Sequence, residues 1–173
     1  NVSLSGGGVI KYATGMTSDL STAKTVTLGA GGGGVDTNGN DVSFATGLPG
    51  TGGLIKAGAG KLTLNAANTY TGATYVNAGT LTLSNTTATD ALGTGAGGLF
   101  INGGTVRTTI ANVINNNTNV TINGLGTALV NATPTFGNLI IGAAEQINSL
   151  TINAINGSAV PNVTTGANTL TLG

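Results

Sequence analysis

Along much of this chain, apolar and polar residues alternate in short bursts. The clearest is Lys61-Leu62-Thr63-Leu64-Asn65, and its phrasing returns as Thr80-Leu81-Thr82-Leu83-Ser84. Strict alternation marks a half-buried strand, in which every second side chain faces the same way. It places Leu62 and Leu64 on one face and Thr63 on the other. The phrase at Leu62 returns at Leu81 with an offset of 19, and the phrase at Leu150 returns at Leu170 with an offset of 20. Val26-Thr27-Leu28 and Val120-Thr121-Ile122 repeat it again, 36 residues from Leu62 and 39 from Leu81, each close to two periods. The 30 residues from Val120 to Leu150 break the rhythm and imply a longer loop or an unmarked strand.

A period near 20 with internal alternation predicts one solenoid turn per repeat. Leu81 then lies over Leu62 and Thr82 over Thr63, with each turn hydrogen-bonded to the next about 4.8 Å away. The expected fold is an all-β parallel β-helix spanning residues 1–173 as a single segment. At about 20 residues per turn it contains roughly eight or nine turns and is about 40 Å long. Helix is disfavoured because no window sustains a 3.6-residue period, and Gly, Thr and Val are poor helix formers. The competing architecture is an antiparallel sandwich of hairpins, turning at Asn38-Gly39, Asn102-Gly103, Asn123-Gly124 and Asn156-Gly157. The in-phase return of whole phrases, polar residues included, favours stacked turns. Gly and Asn mark the corners. Asn68, Asn77 and Asn85 are candidates for side-chain ladders along the axis. Asn115-Asn116-Asn117 reads equally as a ladder or a solvent loop.

Composition narrows the function classes. With 39% hydrophobic residues and a mean hydropathy of +0.28, the chain is too apolar for a disordered segment. Only 3% of residues are aromatic, so the core is built in thin layers of Leu, Ile, Val and Ala. Only 6% are charged, five basic against five acidic. No basic patch is available to displace counterions from nucleic acid, and no apolar run approaches the ~18 residues of a membrane helix. A neutral surface protects poorly against self-association, which suits a protein held in place or built to assemble. The chain opens at Asn1 without the pattern of a signal peptide and reads as a mature or excised segment of a longer chain, or as a polymerising subunit.

Catalytic chemistry is thinly supplied. There is no His and no Cys, hence no imidazole base and no thiol nucleophile. Asp36 and Asp41 flank an Asn-Gly turn. They could serve as the paired carboxylates of a polysaccharide lyase or hydrolase, or as turn residues, with Asp36 capping its own backbone. The turn reading is preferred. Asp19, Asp90 and Glu145 stand alone in sequence. Gly31 to Asp36 fits the opening of a calcium-binding nonapeptide, but Asn38 departs from that pattern and no tandem copy follows. Whether Asp36 and Asp41 bind calcium stays open at this stage. Tyr12, Tyr70 and Tyr75 are either sugar-stacking platforms or packing residues, and packing is preferred. Lys11, Lys24, Lys56, Lys61 and Arg107 do not cluster in sequence and read as solvated. No residue is assigned as catalytic, cofactor-binding or metal-ligating.

Several phrases resemble a known family. They are Val35-Asp36-Thr37-Asn38-Gly39, Gly52-Gly53-Leu54-Ile55-Lys56-Ala57-Gly58-Ala59-Gly60-Lys61-Leu62-Thr63-Leu64, and Asn68-Thr69-Tyr70-Thr71-Gly72 through Val76-Asn77-Ala78-Gly79-Thr80-Leu81, followed by Ala91-Leu92-Gly93-Thr94-Gly95 and Ile101-Asn102-Gly103-Gly104-Thr105. Together they resemble the autotransporter-associated β-strand repeat over residues 31–108, whereas residues 109–173 keep the rhythm but diverge in phrase. The resemblance implies a right-handed β-helix at the bacterial cell surface, associated with the outer membrane, and no catalytic residue. The expected function is therefore a structural or adhesive module, a stiff stalk or fibre subunit. Expected partners are further copies stacked end to end, or a host or cell-surface carbohydrate or protein. Nucleic acid binding, membrane insertion by this segment and cofactors are not expected. The alternative is a carbohydrate-active β-helix enzyme.

Overall fold

The computed structural model describes residues 1–85, 91–94, 97–109, 114 and 118–123, together with the backbone of 127–130, 139–141 and 163–165. In chain order the strands are β1 (Val2–Leu4), β2 (Gly8–Lys11), β3 (Val26–Leu28), β4 (Gly33–Asp36), β5 (Val42–Phe44), β6 (Leu54–Ala57), β7 (Lys61–Leu64), β8 (Thr74–Val76), β9 (Thr80–Leu83), β10 (Leu99–Ile101), β11 (Thr105–Thr108), β12 (Val120–Ile122), β13 (Thr127–Val130), β14 (Leu139–Ile141) and β15 (Val163–Thr165). A single helical turn, α1 (Leu20–Ala23), lies between β2 and β3. Asp19 caps it, its Oδ1 accepting the Ser21 amide at 2.8 Å.

All strand pairs are parallel, and strands pair with the next turn rather than with their sequence neighbours. A first sheet stacks eight strands, β2-β4-β6-β8-β10-β12-β14-β15, and a second stacks five, β5-β7-β9-β11-β13. This is a β-solenoid, and it excludes the antiparallel sandwich. A third, less regular face begins with the β1–β3 pair. It continues as isolated backbone bonds, from Leu28 N to Pro49 O, Tyr70 N to Leu48 O and Thr94 N to Tyr70 O.

The registry matches the expected one where the sequence phrase is strongest. Leu62 lies beside Leu81, Thr63 beside Thr82 and Leu64 beside Leu83. Leu62, Leu64, Leu81 and Leu83 are all at most 1% exposed. Inside, the second sheet carries the rows Val42-Leu62-Leu81-Val106 and Phe44-Leu64-Leu83-Thr108. The first sheet faces them with Val35-Lys56-Val76-Ile101-Ile122. Each fully buried Leu contributes about 1.5–3 kcal/mol of transfer free energy, so the stacked rows are the main source of cohesion in a chain without disulfides.

Two expectations are corrected, and one alternative left open is resolved. Val26-Thr27-Leu28 and Val120-Thr121-Ile122 do not lie in the Leu62–Leu81 column. The first pairs with β1 on the third face and the second with β10 and β14 in the first sheet. The same short phrase serves every face, so spacing alone does not say which. Second, the break after Val120 conceals a strand: Val120 pairs with Leu139, 19 positions on. Leu150–Ile152 and Leu170–Leu172, the repeat at offset 20, lie outside the described residues. Third, about five turns carry both main sheets, fewer than the eight or nine expected. Turn length varies, 25 residues from Gly8 to Gly33 and from Thr74 to Leu99 but 20 from Leu54 to Thr74.

Asn side chains tie turns together along the axis, as expected for Asn77. Asn102 Nδ2 donates to Asn77 Oδ1 at 2.8 Å, and Asn123 Nδ2 to Asn102 Oδ1 at 3.0 Å. Asn68, only 2% exposed, accepts the Leu48 amide at 2.8 Å and donates to Ala91 O at 2.6 Å, joining three successive turns. Asn115–Asn117 lie outside the described residues. At the corner before β9, Gly79 has φ +65° and its missing Cβ would collide with Gly60 O, so only glycine lets the turns approach.

Two substitutions separate the packing from the polar interior. Leu81→Ala is expected to cost about 2–5 kcal/mol by leaving a cavity in the central row. Thr108 lies in the Leu83 row, fully buried, with no protein partner for its hydroxyl. Thr108→Val is expected to stabilise the fold by roughly 1 kcal/mol. Denaturant titration of both variants checks this; an indifferent Leu81→Ala contradicts the stacked-row account.

Candidate functional site

The described carboxylates do not converge. Asp19 caps α1 and also accepts the Ala45 amide through Oδ2 at 2.8 Å. Asp36 accepts the Asn38 amide at 2.8 Å, the backbone cap expected of it, and pairs with Lys11 at 3.6 Å. Asp41 pairs with Lys61 Nζ at 3.0 Å, and the Lys61 hydrogen bond holds its carboxyl below the usual value. Asp90 and Glu145 lie outside the described residues. The glycine run before Asp36 enters β4, and Gly33–Asp36 pairs with β2 and β6 in the sheet. Among the described residues no three His, Cys, Asp or Glu side chains group as a metal site.

Two outer surfaces have a definite chemical character. On the first sheet the outward row runs Val9-Gly34-Ile55-Tyr75-Phe100-Thr121. Tyr75 and Phe100 stack with ring centroids 5.0 Å apart and planes 17° from parallel. A shallow groove of about 280 Å³, floored by Gly52 and Gly53, runs beside Ile55 and Tyr75. The other two tyrosines pack: Tyr70 is fully buried with its hydroxyl 2.6 Å from Thr74 Oγ1, and Tyr12 is 8% exposed.

On the second sheet the outward residues are polar. Lys61, Thr80 and Thr105 form one row, and Thr63, Thr82 and Arg107 the next. They border a groove of about 380 Å³ lined by Asp41, Lys61, Thr80, Thr82, Thr105 and Arg107. Thr82 lies at its floor, 6% exposed, its hydroxyl without a protein partner. Lys61 and Arg107, separate in sequence, are brought to one groove by the stacking of turns.

Lys56 is the clearest departure from the sequence reading, which placed it in solvent. It is fully buried in the row between Val35 and Val76. Its Nζ donates to three carbonyl oxygens, Ala57 at 2.9 Å, Gly58 at 2.7 Å and Ala78 at 3.1 Å, which ties one corner to the next. Burial pulls its pKa down to about 8, opposed by the field of Asp36. The signal was present in the sequence: alternation from Leu54 points Lys56 inward, and the next turn has Val76 in that position.

The geometry defines a class, the parallel β-solenoid whose repeat stacks inward Leu on Leu and outward Thr on Thr. Residues 54–83 match the passenger-associated-transport-repeat family, a stretch that runs from β6 to β9 and so covers two successive passes over both sheets. Over that stretch the chain is similar to the passenger-associated-transport-repeat, in line with the resemblance carried by its phrases. A stretch of 74 residues, 42% of the chain, is 46% identical to a protein named adhesin BmaC autotransporter from Brucella suis biovar 1 (strain 1330). That stretch corresponds to 2% of the adhesin's length. No solved structure gives a significant match. No helix among the described residues is long and apolar enough to cross a membrane.

The buried lysine makes stability depend on pH. Its folded pKa of about 8 lies below the ordinary 10.5, so between those values the unfolded chain binds the extra proton. Stability therefore rises as pH increases from about 8, by up to about 3 kcal/mol at full deprotonation of both states. Burial raises the Tyr70 pKa above its ordinary 10.0, so stability falls again once unfolded tyrosines ionise above about pH 10. Urea denaturation from pH 7 to 10 measures the rise, and Lys56→Met is expected to abolish it. An unchanged slope in that variant rules Lys56 out as its source.

Proposed function

We propose that this chain is part of the shaft of a bacterial surface passenger, a stiff β-helical module that carries contact surfaces away from the cell. The observation that carries this reading is the unbroken parallel pairing of the first sheet through eight strands. Bending such a rod separates hydrogen-bonded turns and opens the packed interior, so the fold resists flexure. The passenger repeat and the likeness to an autotransporter adhesin support an extracellular, outer-membrane-associated location. They point to an adhesin repeat rather than an enzyme. Asp19, Asp36 and Asp41, each engaged in separate turn or ion-pair contacts, offer no support to the lyase or hydrolase alternative. Outward rows repeated every turn suit weak contacts summed through multivalency.

The shaft reading makes a dimensional prediction. In electron micrographs, proteins carrying one, two or four tandem copies of the chain are expected as straight rods whose length grows in proportion, by roughly 4.8 Å per turn. Compact or kinked particles at higher copy number overturn it. Rods of the single chain that lengthen with concentration instead identify a fibre subunit that assembles end to end.

A further inference from the structure

We propose that the groove on the second sheet binds a uronic-acid glycan, with Arg107 holding a sugar carboxylate and the threonine hydroxyls of Thr80, Thr82 and Thr105 holding ring hydroxyls. This deepens the adhesive part of the proposed function by naming a ligand class. It does not depend on the stiffness of the shaft.

Three observations meet at this groove. The first is charge. Lys61 is engaged by Asp41 at 3.0 Å, while the Arg107 guanidinium makes no ion pair or hydrogen bond among the described residues. The groove therefore carries one unspent cation whose planar fork suits a carboxylate. The second is the Thr82 hydroxyl, more than nine-tenths buried at the groove and without a protein partner. A buried hydroxyl left without a bond costs stability, and a ligand hydroxyl at the groove offers that bond. The third is shape. Lys61 and Arg107 sit two strands apart and two residues out of row, about 12 Å between backbones, with Thr80, Thr82 and Thr105 alongside. The groove of about 380 Å³ has room for more than one sugar ring. Its charged side chains distinguish it from the groove beside the aromatic row on the first sheet, which offers stacking surface but no charge.

The test titrates the whole chain with a galacturonate trisaccharide, followed by calorimetry and by amide shifts in NMR spectra. Binding is expected, with shifts centred on Thr80, Thr82 and Thr105. It should weaken at least tenfold in Arg107→Gln and in Thr82→Val, and fall as salt is raised. Thr82→Val should melt at or above the temperature of the parent chain, because it removes an unsatisfied hydroxyl; lost binding with intact melting separates a binding role from a structural one. The carboxyl-reduced trisaccharide should bind at least tenfold more weakly. The proposal is overturned by absence of binding at millimolar trisaccharide, by equal binding of the reduced sugar, or by full binding in both variants. Acetate that binds as well as the trisaccharide reduces the site to an adventitious ion only. All of these failures leave the rod dimensions, and hence the shaft reading, untouched.

Discussion

Everything in this molecule depends on the hydrogen bonds between one turn and the next. Parallel pairing fixes which residue lies over which, and the registry is kept through every described turn. Val42, Leu62, Leu81 and Val106 follow one another in a single row because their backbones are paired, not because they are close in sequence. The same pairing explains how turns of unequal length coexist. Residues beyond the minimum are taken up between strands, as in the segment carrying α1 between β2 and β3, which bonds to Ala45 and Thr46 of the next turn, and the strands on either side still meet their partners. An extra residue inside a strand has no such exit. It would turn every inward side chain of that strand outward.

A narrow interior of this kind has limited means of satisfying polar groups, and two of those it contains, Lys56 and Asn68, connect turns. Lys56 lays its methylenes in an aliphatic row and delivers its ammonium to the corner carbonyls of Gly58 and Ala78, in successive turns. Asn68 does the same on the third face with a neutral amide. Tyr70 and Phe44 are the largest fully buried side chains among the described residues, and the Tyr70 hydroxyl finds Thr74. A buried charge is expensive unless its donors are matched. Three carbonyls match the three donors of an ammonium, which is why lysine is tolerated here, while burial still loosens its proton.

The sequence made the columns legible where a whole phrase recurs, polar residues included. Leu62 over Leu81 and Thr63 over Thr82 follow from that recurrence, and the ladder at Asn77 follows from the corner chemistry of asparagine. It misled where the phrase is only three residues long. Val26-Thr27-Leu28 and Val120-Thr121-Ile122 satisfy the same alternation on other faces, because each face of a solenoid imposes the same period of two. Lys56 was hidden by a habit of assigning charge to solvent, although alternation from Leu54 already turned it inward. The groove was invisible for a different reason. Lys61, Thr82 and Arg107 lie on three successive strands of one sheet, and only the turn length, which the sequence gives poorly, brings them together.

The outer rows answer to a different demand from the inner ones. Inward positions are chosen by packing, so they converge on Leu, Val and Ile whatever the face. Outward positions are constrained only by the need to pair backbone, and yet they differ between faces: Ile55, Tyr75 and Phe100 on one sheet, threonines with Lys61 and Arg107 on the other. A chain with five basic and five acidic residues in all places three of them, Asp41, Lys61 and Arg107, around one groove. Where charge is this scarce, solubility does not account for its concentration at a single spot, since scattered charges protect a neutral rod better than clustered ones. Stacking alone does not account for it either, because threonine fills the neighbouring positions of both rows and pairs equally well. In the proposed binding role, contact with a ligand outside the solenoid is the demand that sets Arg107 apart from the threonines beside it.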